Sequence, residues 1–388
     1  MSDLKEVYFD NSATTKVSEN VMRLVEKTML EDYGNPSSKH GMGVSAERYV
    51  KEAAEKIART MKADAREIIF TSGGTESDNL ALIGCATANK RAGKHIISTG
   101  IEHPAVYEPL SFLESQGFET TVLPVDHAGH VSLSDLKNAM RPDTVLVSVM
   151  YVNNEIGAVE PIPEIAETVH RANPSALFHV DAIQAYGKFR ICPKREGIDL
   201  LSVSGHKLHG PKGVGFLYVR NGVKISPILF GGGHQNGLRS GTLNVPGIAG
   251  LGEAAREAYE NFDEKISRMT RLKDELTDGV EEIEGVTVNS AGGNAGAPHI
   301  VSISVKGVRG EVLLHALEEK GIYVSSGSAC SSHHPGISGT LKGIGLPDSL
   351  LESTVRISLS DLSTEEEVRY FLEEFRGLIP FLRKFTRH

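Results

Sequence analysis

The sequence predicts an α/β fold in two unequal units. The large unit is a mostly parallel sheet flanked by helices, and the small one is an α+β unit at the C-terminal end. Three observations carry this. Apolar, β-rich runs alternate with helical patterns from about residue 65 onward. The alternation breaks at a glycine-rich stretch around residues 231 to 247. The chain has 388 residues, more than one hydrophobic core usually organises.

The first strand and helix are Glu67 to Phe70 and Thr75 to Arg91, followed by His95 to Ser98 and Pro104 to Gln116. Strands at Phe118 to Val125, Val145 to Val152, Leu177 to Val180, Leu200 to Val203 and Gly215 to Val219 continue the series, with helices Ser132 to Met140 and Ile162 to Ala172 between them. Runs that are apolar on both faces suit strands covered on both sides, hence a parallel sheet. After the glycine-rich stretch, a long helical pattern runs to about Gly279, and the unit boundary is expected inside it. Strands near His299 to Val305, Tyr323 to Ser325 and Val355 to Leu359, with helices Glu311 to Lys320 and Thr364 to Arg383, form the smaller unit.

Composition narrows the function classes. With 40% hydrophobic and 23% charged residues and a net charge of −9, the chain reads as globular and offers no electrostatic footprint for nucleic acid or an acidic membrane. No apolar run approaches the roughly 20 residues that span a bilayer, and no signal peptide opens the sequence, so the expected location is the cytoplasm. Three cysteines, Cys85, Cys192 and Cys330, are too few and scattered for a disulfide framework. His333 and His334 lie near Cys330 but lack a closed ligand set, so no metal is expected.

Polar motifs recur at predicted strand ends. Lys207 sits in Ser204-Gly205-His206-Lys207-Leu208-His209-Gly210, a tight polar turn after a buried strand. A pyridoxal phosphate enzyme needs such a lysine for its Schiff base, donors for the phosphate and an acid for the pyridine nitrogen. Thr71-Ser72-Gly73-Gly74-Thr75 leads from a strand into a helix, so Gly74 and Thr75 offer backbone N–H groups to an anion, or form an ordinary capped turn. Asp181, with Gln184 after it, ends a strand expected to be central, where it can pair with a protonated ring nitrogen or cap the next helix. His103 can lie over a flat ring and shuttle protons, or be a loop histidine. Asn154 can bond a ring hydroxyl or a substrate carboxylate, or shape a turn. Arg356, inside a strand pattern, calls for an anion: a substrate carboxylate or a structural salt bridge. Cys330 lies among small residues, in a loop expected to be exposed, where a thiolate is accessible. Five polar motifs at the strand ends of one sheet, each suited to a different part of one cofactor, are improbable as independent turns.

Taken together, Asp10-Asn11-Ser12-Ala13-Thr14-Thr15, the Thr71 to Asn79 motif, Glu102-His103, Asn153 to Gly157, His179-Val180-Asp181, Ser204 to Lys207, Arg239-Ser240-Gly241-Thr242 and Ser326 to Cys330 resemble the cysteine desulfurases of the NifS/IscS type. The resemblance runs nearly the whole chain. It implies a fold-type I pyridoxal 5'-phosphate enzyme with a seven-stranded sheet, a large domain over 15–258, and a small domain formed by 1–14 with 259–388 that carries the cysteine loop at about 326–340. It implies a homodimer that converts L-cysteine to L-alanine, leaves a persulfide on Cys330, and donates sulfur to an iron–sulfur scaffold protein or another acceptor, with tRNA thiolation as an alternative destination. By the same resemblance Lys207 binds the cofactor, Asp181 pairs its pyridinium nitrogen, Gln184 and Asn154 contact its ring hydroxyl or the substrate, and His103 stacks on the ring. Gly74, Thr75, Ser204 and His206 hold the phosphate, Thr242 reaches the phosphate of the neighbouring subunit, and Arg356 binds the substrate carboxylate. The competing readings are an aminotransferase or a selenocysteine or sulfinate lyase on the same fold, and a non-catalytic assembly subunit.

Overall fold

The computed structural model describes residues 5–292, 296–326 and 338–384. Strands are β1 (Val7–Tyr8), β2 (Ile68–Thr71), β3 (His95–Thr99), β4 (Glu119–Leu123), β5 (Thr144–Met150), β6 (Leu177–Asp181), β7 (Leu200–Ser204), β8 (Gly215–Val219), β9 (Val286–Val288), β10 (Ile300–Val305), β11 (Ile322–Tyr323), β12 (Ser325–Ser326) and β13 (Thr354–Ser358). Helices are α1 (Glu19–Leu30), α2 (Gly41–Met61), α3 (Gly74–Asn89), α4 (Pro104–Ser115), α5 (Leu133–Ala139), α6 (Ile162–Ala172), α7 (Pro193–Glu196), α8 (Val245–Tyr259), α9 (Phe262–Glu281), α10 (Gly310–Glu318), α11 (Gly339–Gly343), α12 (Asp348–Leu351) and α13 (Glu365–Arg383).

The large sheet has seven strands in the order β2-β8-β7-β6-β5-β3-β4. Pairs β3/β4, β3/β5, β5/β6 and β6/β7 are parallel, whereas β8 runs antiparallel to both neighbours. Antiparallel pairing lets a short connection join β7 to β8, so the turn with Lys207 stays at the sheet edge. It also leaves β2 pointing the same way as β7. The C-terminal ends of β2, β3, β5, β6 and β7 therefore share one edge. Helices cover both faces: Phe70, Val147, Val149, Phe178, Val180 and Phe216 pack into one core, while Ile69, Ile96, Leu146, Leu200 and Leu217 pack into another. The edge strand β2 is blunted by Gln235, whose amide accepts from Phe70 N at 2.7 Å and donates to Phe70 O at 2.8 Å.

A second sheet, β12-β13-β10-β9, is antiparallel throughout. Its core joins Val301, Ile303, Val355 and Ile357 with Phe371 and Phe375 of α13, Leu272 and Leu276 of α9, and Val7 and Phe9 from the start of the chain.

Three features differ from the sequence reading. Residues before 65 form two helices, and α2 buries Ala46, Tyr49, Ala53, Ile57 and Met61 on one face. The helical pattern toward Gly279 is two helices, broken at Asn261, which takes a left-handed conformation with φ of 51°. The short strand β9 adds to the second sheet.

Candidate functional site

Of the twelve residues singled out for chemistry, ten line one cavity of about 270 Å³ at the shared strand edge: Gly74, Thr75, His103, Asn154, Asp181, Gln184, Ser204, His206, Lys207 and Arg356. Thr242 does not line it and is exposed. Cys330 lies outside the described residues, as do His333 and His334.

One end of the cavity is the start of α3. Gly73 has φ of 151°, and a Cβ at Gly74 would come within 2.2 Å of Ile183 Cδ1, so helix and sheet meet too closely for a side chain there. The first-turn N–H groups have no acceptor within the helix, and its dipole favours an anion. The Ser204 side chain lies against the two glycines. His206 stands beside them in the cavity wall, its Nδ1 3.2 Å from Thr14 Oγ1, and burial followed by the charges of Lys207, Lys212 and Lys188 lowers its pKa to about 4.

At the centre are Asp181, ending β6, and Lys207, in the turn after β7. Asp181 Oδ1 accepts from Ile183 N at 2.9 Å, and burial raises its pKa to about 6 against that hydrogen bond and the Lys207 charge. Two further acids are buried nearby. Glu102 accepts from Thr99 Oγ1 and Met150 N, and burial raises it to about 8. Asp78 is pushed well above the carboxylate range by burial and by the charges of Asp181 and Glu102. Three buried carboxylates in one place cannot all ionise cheaply. Of the three, Asp181 is the one whose carboxyl the Lys207 charge pulls down, so it holds the negative charge. Lys207 Nζ donates to Ser12 O at 2.5 Å and Ala13 O at 2.8 Å.

His103 is the N-cap of α4: its Nδ1 accepts from Ala105 N at 3.1 Å, which leaves the ring proton on Nε2. Burial, then Lys207, lowers it to about 4, so it is neutral at neutral pH. On the far wall, Arg356 Nη2 bonds Asp10 Oδ1 at 2.9 Å and Nη1 bonds Asn154 O at 2.8 Å. Its buried Nε has no hydrogen-bond partner among the described residues. The structural salt bridge is thus present together with a spare donor.

The described chain stops at Ser326 and resumes at Ser338. Ser325 pairs with Arg356 across β12 and β13, and Ser338 Oγ donates to Glu155 Oε2 at 2.5 Å, next to Asn154. Ser325 thus neighbours Arg356 of the cavity wall, and Ser338 bonds the residue that follows Asn154. Of the other cysteines, Cys85 is buried on α3, and burial pushes its thiol pKa far up; Cys192 is half-buried.

These residues fit pyridoxal phosphate. A glycine cradle with helix N–H groups and hydroxyls suits a phosphate, a buried aspartate suits a positive ring nitrogen, and a lysine lies opposite. The sequence reading gave no role to Ser12 and Ala13. Their contribution is through backbone carbonyls, which no residue type signals.

The Aminotransferase class-V family profile matches residues 7–371. The chain is 44% identical over 382 residues to "Cysteine desulfurase IscS" of Methanosarcina thermophila, covering 98% of this chain and 94% of that one. It is 40% identical over 379 residues to "Cysteine desulfurase IscS 1" of Archaeoglobus fulgidus, covering 98% of each. Among solved structures, a "NIFS-LIKE PROTEIN" superposes with a TM-score of 0.92 at 39% identity, covering 97% of this chain and all of that chain. "SspA in complex with cysteine" superposes with a TM-score of 0.81 at 34% identity, covering 92% of this chain and all of that chain.

Proposed function

The chain belongs to the cysteine desulfurases of the class-V aminotransferase family, and from that premise we propose how its own residues take sulfur from L-cysteine. It is a pyridoxal-phosphate-dependent enzyme that yields L-alanine and supplies sulfur for iron–sulfur cluster assembly. The observation that carries the reading is the single cavity in which a helix start, Asp181, Lys207, His103 and Arg356 converge.

Gly74, Thr75, Ser204 and His206 hold the phosphate. Asp181 would pair with the ring nitrogen, Gln184 and Asn154 would meet the ring hydroxyl or the substrate, and His103 would face the ring. When bound, the cofactor supplies an electron sink that weakens bonds at the substrate's Cα and Cβ. Lys207 and His103 Nε2 move the protons. Arg356 offers its free Nε to the substrate carboxylate.

Cys330 is the sulfur acceptor. Its thiolate bonds the substrate sulfur as the Cβ–Sγ bond breaks; the electron pair leaves toward carbon, which is protonated. The sum is enzyme thiol plus L-cysteine to enzyme persulfide plus L-alanine. Ser325, paired with Arg356, and Ser338, bonded to Glu155, support this assignment.

The working form is a homodimer in the cytoplasm. Met29, Leu30, Tyr33, Val44 and Phe230 are large, exposed and apolar side chains of the kind that a second copy would cover. Thr242, away from its own cavity, is then free to complete the other copy's phosphate site. The separation of the cores on the large sheet from the core of the second sheet supports a large domain at 15–258 and a small one formed by 1–14 with 259–388. Sulfur passes from Cys330 to an iron–sulfur scaffold protein or another acceptor, with tRNA thiolation as the alternative destination.

The test is incubation with L-cysteine, quantifying alanine and mapping the persulfide by mass spectrometry. Persulfide on Cys330, and a Cys330→Ala enzyme that keeps its visible cofactor band but releases no sulfide, are expected. Persulfide on Cys85 or Cys192 overturns the assignment.

A further inference from the structure

His299 does not line the cofactor cavity. It lies in the wall of a second cavity, of about 320 Å³, on the other side of Lys207. Its side chain is buried, and its Nε2 lies 3.4 Å from Gln184 Oε1, in the wall of the first cavity. Gln184 Nε2 in turn donates to Ser12 O at 3.0 Å, the carbonyl that also receives Lys207 Nζ.

These contacts fix the proton on His299. A carbonyl only accepts, so the Gln184 NH₂ group must face Ser12 and its oxygen must face His299. An amide oxygen needs a donor, so His299 carries hydrogen on Nε2. Burial and the positive charges of Lys188, Lys273, Arg356 and Lys207 hold the ring neutral, which leaves one ring proton and a bare Nδ1. His299 Nδ1 is indeed a buried atom without a hydrogen-bond partner among the described residues. The backbone beneath the ring is clamped. Lys273 Nζ donates to Ala291 O and Ala297 O, Ala297 N to Gly157 O, and Leu359 N to His299 O.

We propose that His299 is a positioning residue for the cofactor ring: by donating from Nε2 to Gln184 Oε1 it holds that amide in one orientation. The NH₂ group then bonds Ser12 with one hydrogen and keeps the other for the ring hydroxyl. This rests on the reading that Gln184 meets that hydroxyl. His299 acts through Gln184 and touches no reacting atom.

The test compares the loaded wild-type enzyme with His299→Leu, His299→Gln, Gln184→Leu and the His299→Leu/Gln184→Leu double variant. It reads the dissociation constant of pyridoxal phosphate and the midpoint of the pH titration of the visible lysine–cofactor band. His299→Leu and Gln184→Leu should each weaken binding about three- to tenfold, and His299→Gln, which keeps a donor, should stay within about twofold of wild type. The two leucine variants should move the midpoint in the same direction, and the double variant no further than Gln184→Leu. A wild-type result for His299→Leu beside a shifted Gln184→Leu overturns the role of His299 and leaves the reading of Gln184 standing. An unshifted Gln184→Leu overturns that reading and the proposal with it. Should His299→Leu fail to fold, His299→Gln decides, because a loss as large as that of Gln184→Leu overturns the proposal.

Discussion

Arg356 donates from Nη2 to Asp10 Oδ1 at 2.9 Å while its buried Nε keeps a hydrogen with no partner among the described residues. Asp10 pins the guanidinium against the cavity wall, and the spare donor is what an incoming carboxylate would use. Arg356→Lys keeps the charge but loses the fork. Steady-state kinetics should show KM for L-cysteine raised about 10- to 100-fold, the loss expected for a charge-assisted hydrogen bond, with the visible cofactor band unchanged. An unchanged KM would remove Arg356 from substrate binding.

His103 holds two tasks, capping α4 through Nδ1 and facing the cavity. His103→Asn keeps a capping side chain but no imidazole, so kcat should fall about a hundredfold or more while stability holds. His103→Ala should lose the same activity and about 1 kcal/mol of stability as well, measured by urea unfolding. Equal stability in the two variants would show that the cap contributes little.

The Gly74 cradle is limited by Ile183. A methyl at Gly74 would overlap Ile183 Cδ1 at 2.2 Å and crowd Cγ1 at 3.0 Å. Gly74→Ala should weaken pyridoxal phosphate binding about tenfold, within the range of overpacking costs. Adding Ile183→Val, which removes Cδ1, should restore most of the affinity. Absence of rescue would place the damage in the backbone instead.

Glu160 sets a pH dependence away from the cofactor. Burial raises its pKa to about 8 from the ordinary 4.5, opposed by the N–H of Val131 and aided by the charge of Asp126. The folded chain therefore keeps a proton that the unfolded chain gives up, so stability present below pH 4.5 is lost as pH rises to about 8. Glu160→Gln escapes this loss. Its advantage over wild type in urea unfolding of the cofactor-free protein should grow by about 2 to 4 kcal/mol between pH 5 and pH 8. A constant difference across that range would refute the shift.

The alternation of strand and helix was legible because each element buries apolar residues at its own period. Strand β6 could be read from Phe178 and Val180, and α13 from Thr364 and its apolar face. The antiparallel direction of β8 was not legible: an apolar run reads the same either way, and direction depends on which neighbour it pairs with. The break at Asn261 was hidden because asparagine enters the left-handed region without any change in apolar pattern.

The sequence by itself determined which chemical groups this protein owns: a lysine, an aspartate, a glycine-rich helix start, an arginine and three thiols, most at strand ends. Only the tertiary structure decided which of them meet. Lys207 is held by the carbonyls of Ser12 and Ala13, Arg356 by Asp10, and Gln184 by Ser12 and His299, contacts between residues more than a hundred positions apart. Local propensity acts over a few residues, whereas such pairs arise only when strand order and sheet edge bring distant segments together. Backbone carbonyls, which every residue carries, leave no mark in the sequence of where they will be needed.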